Sequence, residues 1–211
     1  MNKFLSTMKQ PFMVTLALLL ICGLAYPLLL TAISRTVFPQ QAGGSLIAAD
    51  GRPVGSILVG QDFTDPRFMK CRPSAVNYNT YTQADVENGN YAGIGSGSKN
   101  YGSTNQELNK RVQQDIAEFL EKNPSIKKDE IPTDLLTSSG SGLDPHISPK
   151  SAEVQIPALA EATGLSKDRL KEIVKESTQP KWLGIFGEET VNVLNVNLKI
   201  AKDLKLISDI D

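Results

Sequence analysis

The chain has 211 residues and a formal net charge of −1, from 22 basic and 23 acidic side chains. This balance, without any polybasic stretch, does not attract nucleic acid, so we expect no nucleic-acid partner. A single histidine outside any Cys/His cluster also predicts no metal site.

An uncharged apolar stretch of 22 residues runs over residues 12–33. As a helix it reaches about 33 Å, enough to cross a hydrocarbon core of about 30 Å. We therefore predict a transmembrane anchor over residues 12–34, preceded by a short cytoplasmic tail, residues 1–11. A cleaved signal peptide is the alternative, because residues 32–34 resemble a processing site. The apolar run is longer than the 7 to 15 residues or so of such a peptide.

The charges beside this stretch predict its orientation. Lys3 and Lys9 precede it, whereas Arg35 alone follows it closely. Because basic flanks stay in the cytoplasm, we expect a single-pass protein of the cell inner membrane with a cytoplasmic N-terminus. The bulk, residues 35–211, is then an extracytoplasmic (periplasmic) domain, with 20 basic and 23 acidic side chains and a formal charge of −3.

This domain is predicted to be mixed, so the fold class is α+β with one N-terminal transmembrane helix. Two strands, Ser45 to Ala49 and Val54 to Val59, are expected around an Asp-Gly turn. A long polar loop follows at residues 73–103, and loops of this length are usually functional or mobile. Its tyrosines, concentrated in residues 77–101, either stack on a ligand or pack on the domain. With Cys22 in the anchor and Cys71 in the domain, no internal disulfide is expected.

Capping residues predict three helices in the second half. One begins at a capping box opened by Ser103 and ends at Asn123. The next begins at Ser148-Pro149, is bent by Pro157 and ends at Gly164.

A third helix is capped by Ser166, with Leu170, Ile173 and Val174 facing inward. After it, the alternation from Thr190 to Val196 predicts a final strand, with a bulge at Leu194. The two helices around Gly164 also resemble a helix-turn-helix, which the predicted location outside the cytoplasm disfavours.

The loop of residues 137–149 carries the candidate catalytic chemistry. A hydrolase triad can be assembled there from Ser139 or Ser141, Asp144 and His146, but the spacing departs from G-x-S-x-G. The alternative is a structural loop. In it, Gly140 and Gly142 allow positive φ, Asp144-Pro145 fixes a turn, and His146 holds the loop by hydrogen bonds.

Several blocks of sequence then resemble the C subunit of the Kdp-type potassium-transporting ATPase. They are VGSILVGQDFTDPRFMKCRPSA, a loop ending in GSTN, IPTDLLTSSGSGLDPHISPKSAEVQIPALA and GEETVNVLNVNL. They occur in the family's order across nearly the whole chain, and SGLDPHISP is the most specific. The tyrosine-rich stretch is longer than the family's usual loop.

The resemblance implies a non-transporting accessory subunit of an ATP-driven, high-affinity potassium uptake complex. Its partners would be a channel-like potassium-binding subunit and a P-type ATPase subunit. It would stabilise the complex and act as a catalytic chaperone that raises the ATP affinity of the ATPase subunit. Such a chain is no enzyme and has no cofactor of its own, only ATP through its partner.

The resemblance also places residues. Gln155 matches a glutamine proposed to contact nucleotide, and the interface or structural loop comprises Ser139, Gly140, Ser141, Gly142, Asp144, Pro145 and His146. Because a domain outside the cytoplasm does not meet cytosolic ATP, we expect any effect on ATP to be indirect. The alternative function is a membrane-anchored extracytoplasmic binding domain or hydrolase unrelated to transport.

Overall fold

The computed structural model describes residues 2–91 and 93–210, with side chains described from residue 7 onward. The chain forms two compact units, the first ending at Leu46 and the second beginning at Ile47. We describe each unit by itself.

The first unit is dominated by one helix with a local widening. Helix α1 (Asn2–Leu20) passes through a π-helical turn (Ile21–Ala25) into α2 (Tyr26–Val37), and a short α3 (Pro39–Ala42) follows. Pro27, in the first turn of α2, has no N–H to give to the preceding turn, and the widened turn lies directly before it.

Within this helix, the 31 residues Thr7–Val37 are long and apolar enough to cross a bilayer. The most apolar part of this range is fully exposed, with none of its residues buried. The predicted anchor, residues 12–34, lies inside this range. A helix that is apolar on every side is typical of a membrane span. A signal sequence has the same features, so retention of this helix stays a prediction.

The second unit begins with the predicted hairpin. Strands β1 (Leu46–Ala49) and β2 (Arg52–Ser56) pair as a two-stranded sheet. Asp50 and Gly51 between them have φ of 49° and 71°, as a two-residue hairpin turn requires. The second strand begins and ends earlier than predicted.

The polar loop of residues 73–103 contains local structure that was not predicted. A 3-10 turn (Asn77–Asn79) is followed by α4 (Gln83–Glu87), whose capping box is formed by Thr82 and Asp85. The rings of Tyr81 and Tyr91 meet edge to face at 4.8 Å, so these two tyrosines pack on each other.

The predicted helices of the second half are present with adjusted ends. They are α5 (Gln106–Lys122), α6 (Pro149–Glu153), α7 (Ile156–Thr163) and α8 (Lys167–Glu176). The cap of α5 is Asn105, whose Oδ1 accepts from the N–H groups of Glu107 and Leu108. The prediction that this helix begins at Ser103 was wrong, because the side chain of Asn105 already accepts hydrogen bonds from the first free N–H groups of the helix.

The helix predicted from Ser148 is interrupted near Pro157, as expected. It is split between α6 and α7, and Gly164 ends α7 with a φ of 74°. Ser166 caps α8, as predicted.

The predicted strand over residues 190–196 was wrong in its second half. Strand β5 (Thr190–Asn192) is followed at once by α9 (Val193–Asp203), which is capped by the Asn192 side chain. The phase shift at Leu194 therefore marks a change to helical periodicity and not a bulge. Burial of seven α9 residues overrides the low helix propensity of its valines and asparagines.

Strand β5 is the centre of a small antiparallel sheet. It pairs on one side with β3 (His146–Ile147) and on the other with β4 (Thr178–Gln179). His146 lies opposite Asn192, which brings the loop of residues 137–149 beside the start of α9.

The hydrophobic core lies between this sheet and helices α6 to α9. The predicted inward residues Leu170, Ile173 and Val174 belong to it, and Phe63 and Phe68 pack on its edge with ring centroids 6.3 Å apart. Its most deeply buried members include Met69, Ile147, Ala152, Ile173, Val191, Val193, Val196 and Ile200. The second unit therefore matches the predicted α+β class.

Candidate functional site

The hydroxyl groups of the Ser-Gly loop are bound within the loop itself. Ser139 is buried, and its Oγ accepts from the N–H of Gly142 at 2.9 Å. Ser141 Oγ accepts from the N–H of Leu143 and lies 3.2 Å from Ser139 Oγ. Of the two glycines that allow a positive φ, Gly142 adopts one, 68°, and Gly140 does not. The turn is therefore closed by one left-handed residue.

The same loop is held against the long polar loop. The N–H of Gly97 donates to the carbonyl of Ser141 at 2.7 Å, and Ser74 Oγ donates to the carbonyl of Gly142 at 2.6 Å. A Cβ on Gly142 would lie 2.7 Å from the carbonyl oxygen of Gly97. The described residues of the two loops therefore form one surface, which we call the paired loops (residues 74–91, 93–97 and 139–146).

Asp144 and His146 are brought together at the end of this loop. Asp144 pairs with Arg72 at 3.1 Å, accepts the His146 N–H at 3.0 Å, and lies 3.6 Å from His146 Nδ1. The His146 side chain, its N–H and the Arg72 guanidinium lower the pKa of Asp144. On its other side, His146 Nε2 faces the Asn192 amide at 3.4 Å.

This geometry does not assemble the hydrolase triad. A nucleophile must lie within hydrogen-bond reach of its base. The hydrogen bonds found among residues 7–91 and 93–210 include none between Ser141 and His146, whose Nε2 is directed at Asn192. His146 instead connects the loop to strand β5.

Gln155 lies in the break between α6 and α7 and is 5 % exposed. Its Oε1 accepts the N–H of Lys70 at 2.8 Å, and its Nε2 donates to the carbonyls of Lys70 at 3.3 Å and Ser151 at 3.1 Å. Both ends of the amide are therefore bound inside the protein. Contact of this glutamine with nucleotide stays a prediction.

Gln155 also lines a cleft of about 790 Å³ in volume. Lys70 and Asp115 line it too. Burial disfavours the charged form of each side chain, so it lowers the pKa of Lys70 and raises the pKa of Asp115. Lys122 adds to the shift in the pKa of Lys70. No cluster of three or more His, Cys, Asp or Glu that could hold a metal was found in the described part of the chain.

Comparison with known sequences shows which protein family the chain resembles. The profile of the family described as "KdpC: K+-transporting ATPase, c chain" matches residues 8–202. The chain belongs to this family. The expected family resemblance is therefore confirmed over nearly the full length.

Curated relatives agree. A "Potassium-transporting ATPase KdpC subunit" of Clostridium kluyveri is 67% identical over 208 residues, covering 99% of both chains. One of Clostridioides difficile is 54% identical, covering 96% of this chain and 100% of the relative. A third, of Caldanaerobacter subterraneus, is 44% identical over 93% of this chain and 95% of the relative.

The sequence alone missed two groups of residues that the structure makes prominent. Asn197, buried in α9, binds Met69 through both ends of its amide, but residues so far apart in the chain leave no local signal. Trp182 and its apolar neighbours, between Pro180 and Gly187, are exposed. An apolar run framed by turn residues was a signal that could have identified them.

Proposed function

We propose that this chain is a non-transporting accessory subunit of an ATP-driven, high-affinity potassium uptake complex. Its partners are a channel-like potassium-binding subunit and a P-type ATPase subunit. The observation that carries the proposal is the family match over residues 8–202. The helix Thr7–Val37 supplies a means of membrane attachment.

In this proposal the chain crosses the cell inner membrane once, with its N-terminus in the cytoplasm and the second unit on the periplasmic side. Lys3 and Lys9 before the span, against the lone Arg35 after it, support this orientation. The second unit then braces the complex at its outer face, near the point where the ion enters.

The paired loops support a structural role in place of catalysis. The hydroxyls of Ser139 and Ser141 are bound to each other and to nearby N–H groups, and the Asp144 carboxylate is bound by Arg72 and His146. Groups occupied in this way fix the two loops against each other, which is a structural role and not a catalytic one.

The chaperone effect on ATP affinity belongs to the same proposal and is transmitted indirectly. ATP binds the ATPase subunit, and this chain supplies no cofactor of its own. Gln155 contributes by fixing Lys70 to the α6–α7 break, since both ends of its amide are bound there. A substitution at Gln155 would then change the shape of the second unit and, through it, the ATP affinity of the ATPase subunit.

Purification tests the assignment. An affinity tag on this chain should recover, in mild detergent, a larger P-type ATPase and a potassium-binding subunit, and deletion of the chain should abolish high-affinity potassium uptake. His146→Ala should retain co-purification if the fold survives, whereas a hydrolase would lose its turnover. A chain that purifies alone, and whose deletion leaves uptake intact, contradicts the proposal.

A further inference from the structure

The connection between β4 and β5 exposes an unusual concentration of apolar side chains. Trp182, Leu183, Ile185 and Phe186 are 70%, 71%, 77% and 59% exposed. Single exposed apolar residues are ordinary, but a contiguous apolar patch usually marks a binding surface. We call residues 182–186 the apolar tip.

The apolar tip is an ordered turn. Trp182 and Phe186 exchange backbone hydrogen bonds of 2.9 and 3.0 Å, and their rings lie 5.7 Å apart. Leu183 adopts a φ of 52°, a left-handed conformation that is uncommon for leucine. Local strain of this kind persists where the surroundings fix it, often at binding sites. Because the turn is already shaped, little conformational entropy is lost when it docks.

The charges beside the apolar tip favour a protein over a lipid surface. Lys181 precedes it, whereas Glu188 and Glu189 follow it, and all three are exposed. Neither glutamate takes part in an ion pair found among the described residues. Segments that lie in a bilayer interface carry Lys and Arg beside their aromatic residues. A net negative border around a shaped apolar turn matches an apolar pocket with a basic rim.

We propose that the apolar tip docks into an apolar, basic-rimmed pocket on another subunit of the potassium-transporting ATPase, with Trp182 and Ile185 as anchors. Tryptophan is enriched among residues that dominate interface energy, and such residues lie in fully desolvated pockets. The inference rests on the proposed function, because it requires a partner subunit.

Thiol labelling tests the docking. Ile185→Cys and the control Ile94→Cys, which replaces a residue 85% exposed in the polar loop, are each made with Cys22→Ser. Cys71 can stay, because burial raises the pKa of its thiol to about 11 and slows its reaction. The labelling rate is measured in lipid vesicles for the full chain alone and for the assembled complex.

Both introduced cysteines should react rapidly in the chain alone. Assembly should slow Ile185→Cys about tenfold or more and leave Ile94→Cys unchanged, because a hot-spot side chain becomes fully desolvated. Slow labelling of Ile185→Cys in the chain alone would assign the tip to lipid or to a second copy and overturn the proposal. Equal rates in the chain and the complex would also overturn it.

Charge insertion provides a second measurement. Ile185→Asp should reduce retention of the chain in the washed complex about tenfold or more, whereas Ile94→Asp should not, with circular dichroism confirming that both fold. If the unmodified chain does not co-purify with partners, the proposed function fails. If it does, but Ile185→Asp is retained like Ile94→Asp, only the docking of the tip fails.

Discussion

Two buried side-chain amides fix residues 69 and 70, which lie outside the helices and strands of the second unit. Asn197 of α9 accepts from the N–H of Met69 at 2.7 Å and donates to its carbonyl at 2.9 Å. Gln155 bonds the next residue, Lys70, in the same way. Each amide bonds both the N–H and the carbonyl of one residue, as a neighbouring strand would in a sheet. The backbone groups of Met69 and Lys70 are therefore hydrogen-bonded although neither residue belongs to a sheet.

Replacing Asn197 by Ala should therefore be costly. It leaves a buried N–H and a buried carbonyl of Met69 unpaired, and we expect the free energy of unfolding to fall by about 2–4 kcal/mol. Asn195→Ala on the same helix is the matched control, since its side chain is only half-buried, and a change within about 0.5 kcal/mol is expected. Urea unfolding of the full chain in detergent measures both, and equal losses would contradict the role assigned to Asn197.

Substitutions of the same two amide residues, Gln155 and Asn197, test whether Gln155 affects ATP binding by direct contact or indirectly. If Gln155 acts by fixing Lys70, then Gln155→Ala and Asn197→Ala should raise the KM for ATP of the assembled complex to a similar extent. The reason is that each releases one residue of the same segment. ATPase assays over a range of ATP concentrations measure this. A rise for Gln155→Ala alone would favour contact with nucleotide and contradict the indirect route.

Asp144 gives the domain a defined response to acid. Its pKa is lowered by the His146 side chain, the His146 N–H and Arg72. A group whose folded pKa is lowered stabilises the protein above its unfolded pKa, about 3.9, and loses this contribution as the pH falls through the folded value. Asp144→Asn should thus lower the free energy of unfolding by about 1.5–3 kcal/mol at pH 7.

The difference between the parent and Asp144→Asn should shrink as the pH falls below about 4, where the carboxylate becomes protonated. Unfolding curves collected above and below this pH measure it. A difference that persists unchanged at the acid end would show that the carboxylate charge is not what stabilises the loop.

At the scale of elements, the paired loops depend on one glycine. Gly142→Ala forces alanine into a φ of 68° and places its Cβ 2.7 Å from the carbonyl oxygen of Gly97. We expect a loss of about 1–3 kcal/mol in the free energy of unfolding, with weaker attachment of the polar loop. Faster proteolysis within residues 77–101 should accompany it.

Gly140→Ala is the control for this substitution. Gly140 does not have a positive φ, and its Cβ position meets open space. Stability should be unchanged or slightly raised. If the two alanine variants behave alike, the close approach of the two loops does not matter for stability.

The elements that the sequence predicted are those with local signals. Gly164 ends α7 and Ser166 caps α8 because each acts on backbone groups a few residues away. Helix α9 was missed, because Val193-Leu194-Asn195-Val196 has the composition of a strand and its helical state is decided by burial against the rest of the core.

The candidate site divides in the same way. The turn at Gly142 depends on residues a few positions apart, and the sequence indicated it. The bonds of Gln155 to Lys70 and of Ser141 to Gly97 join residues distant in sequence. Capping and periodicity describe neighbours along the chain, so neither pattern indicates these bonds.

At the scale of the whole molecule, the account requires that the helix Thr7–Val37 be retained and that the second unit lie outside the cytoplasm. Cysteines introduced at two positions report this, each in the Cys22→Ser background. Ser6→Cys precedes the span and keeps Lys3 and Lys9, and Lys99→Cys lies in the exposed polar loop.

A membrane-impermeant maleimide applied to intact spheroplasts is the most direct measurement of this arrangement. Lys99→Cys should be labelled as fully as after lysis, and Ser6→Cys only after lysis. Recovery of the full-length chain, beginning before the helix, should accompany this pattern. The reverse pattern, or a mature chain that begins after the helix, contradicts the account.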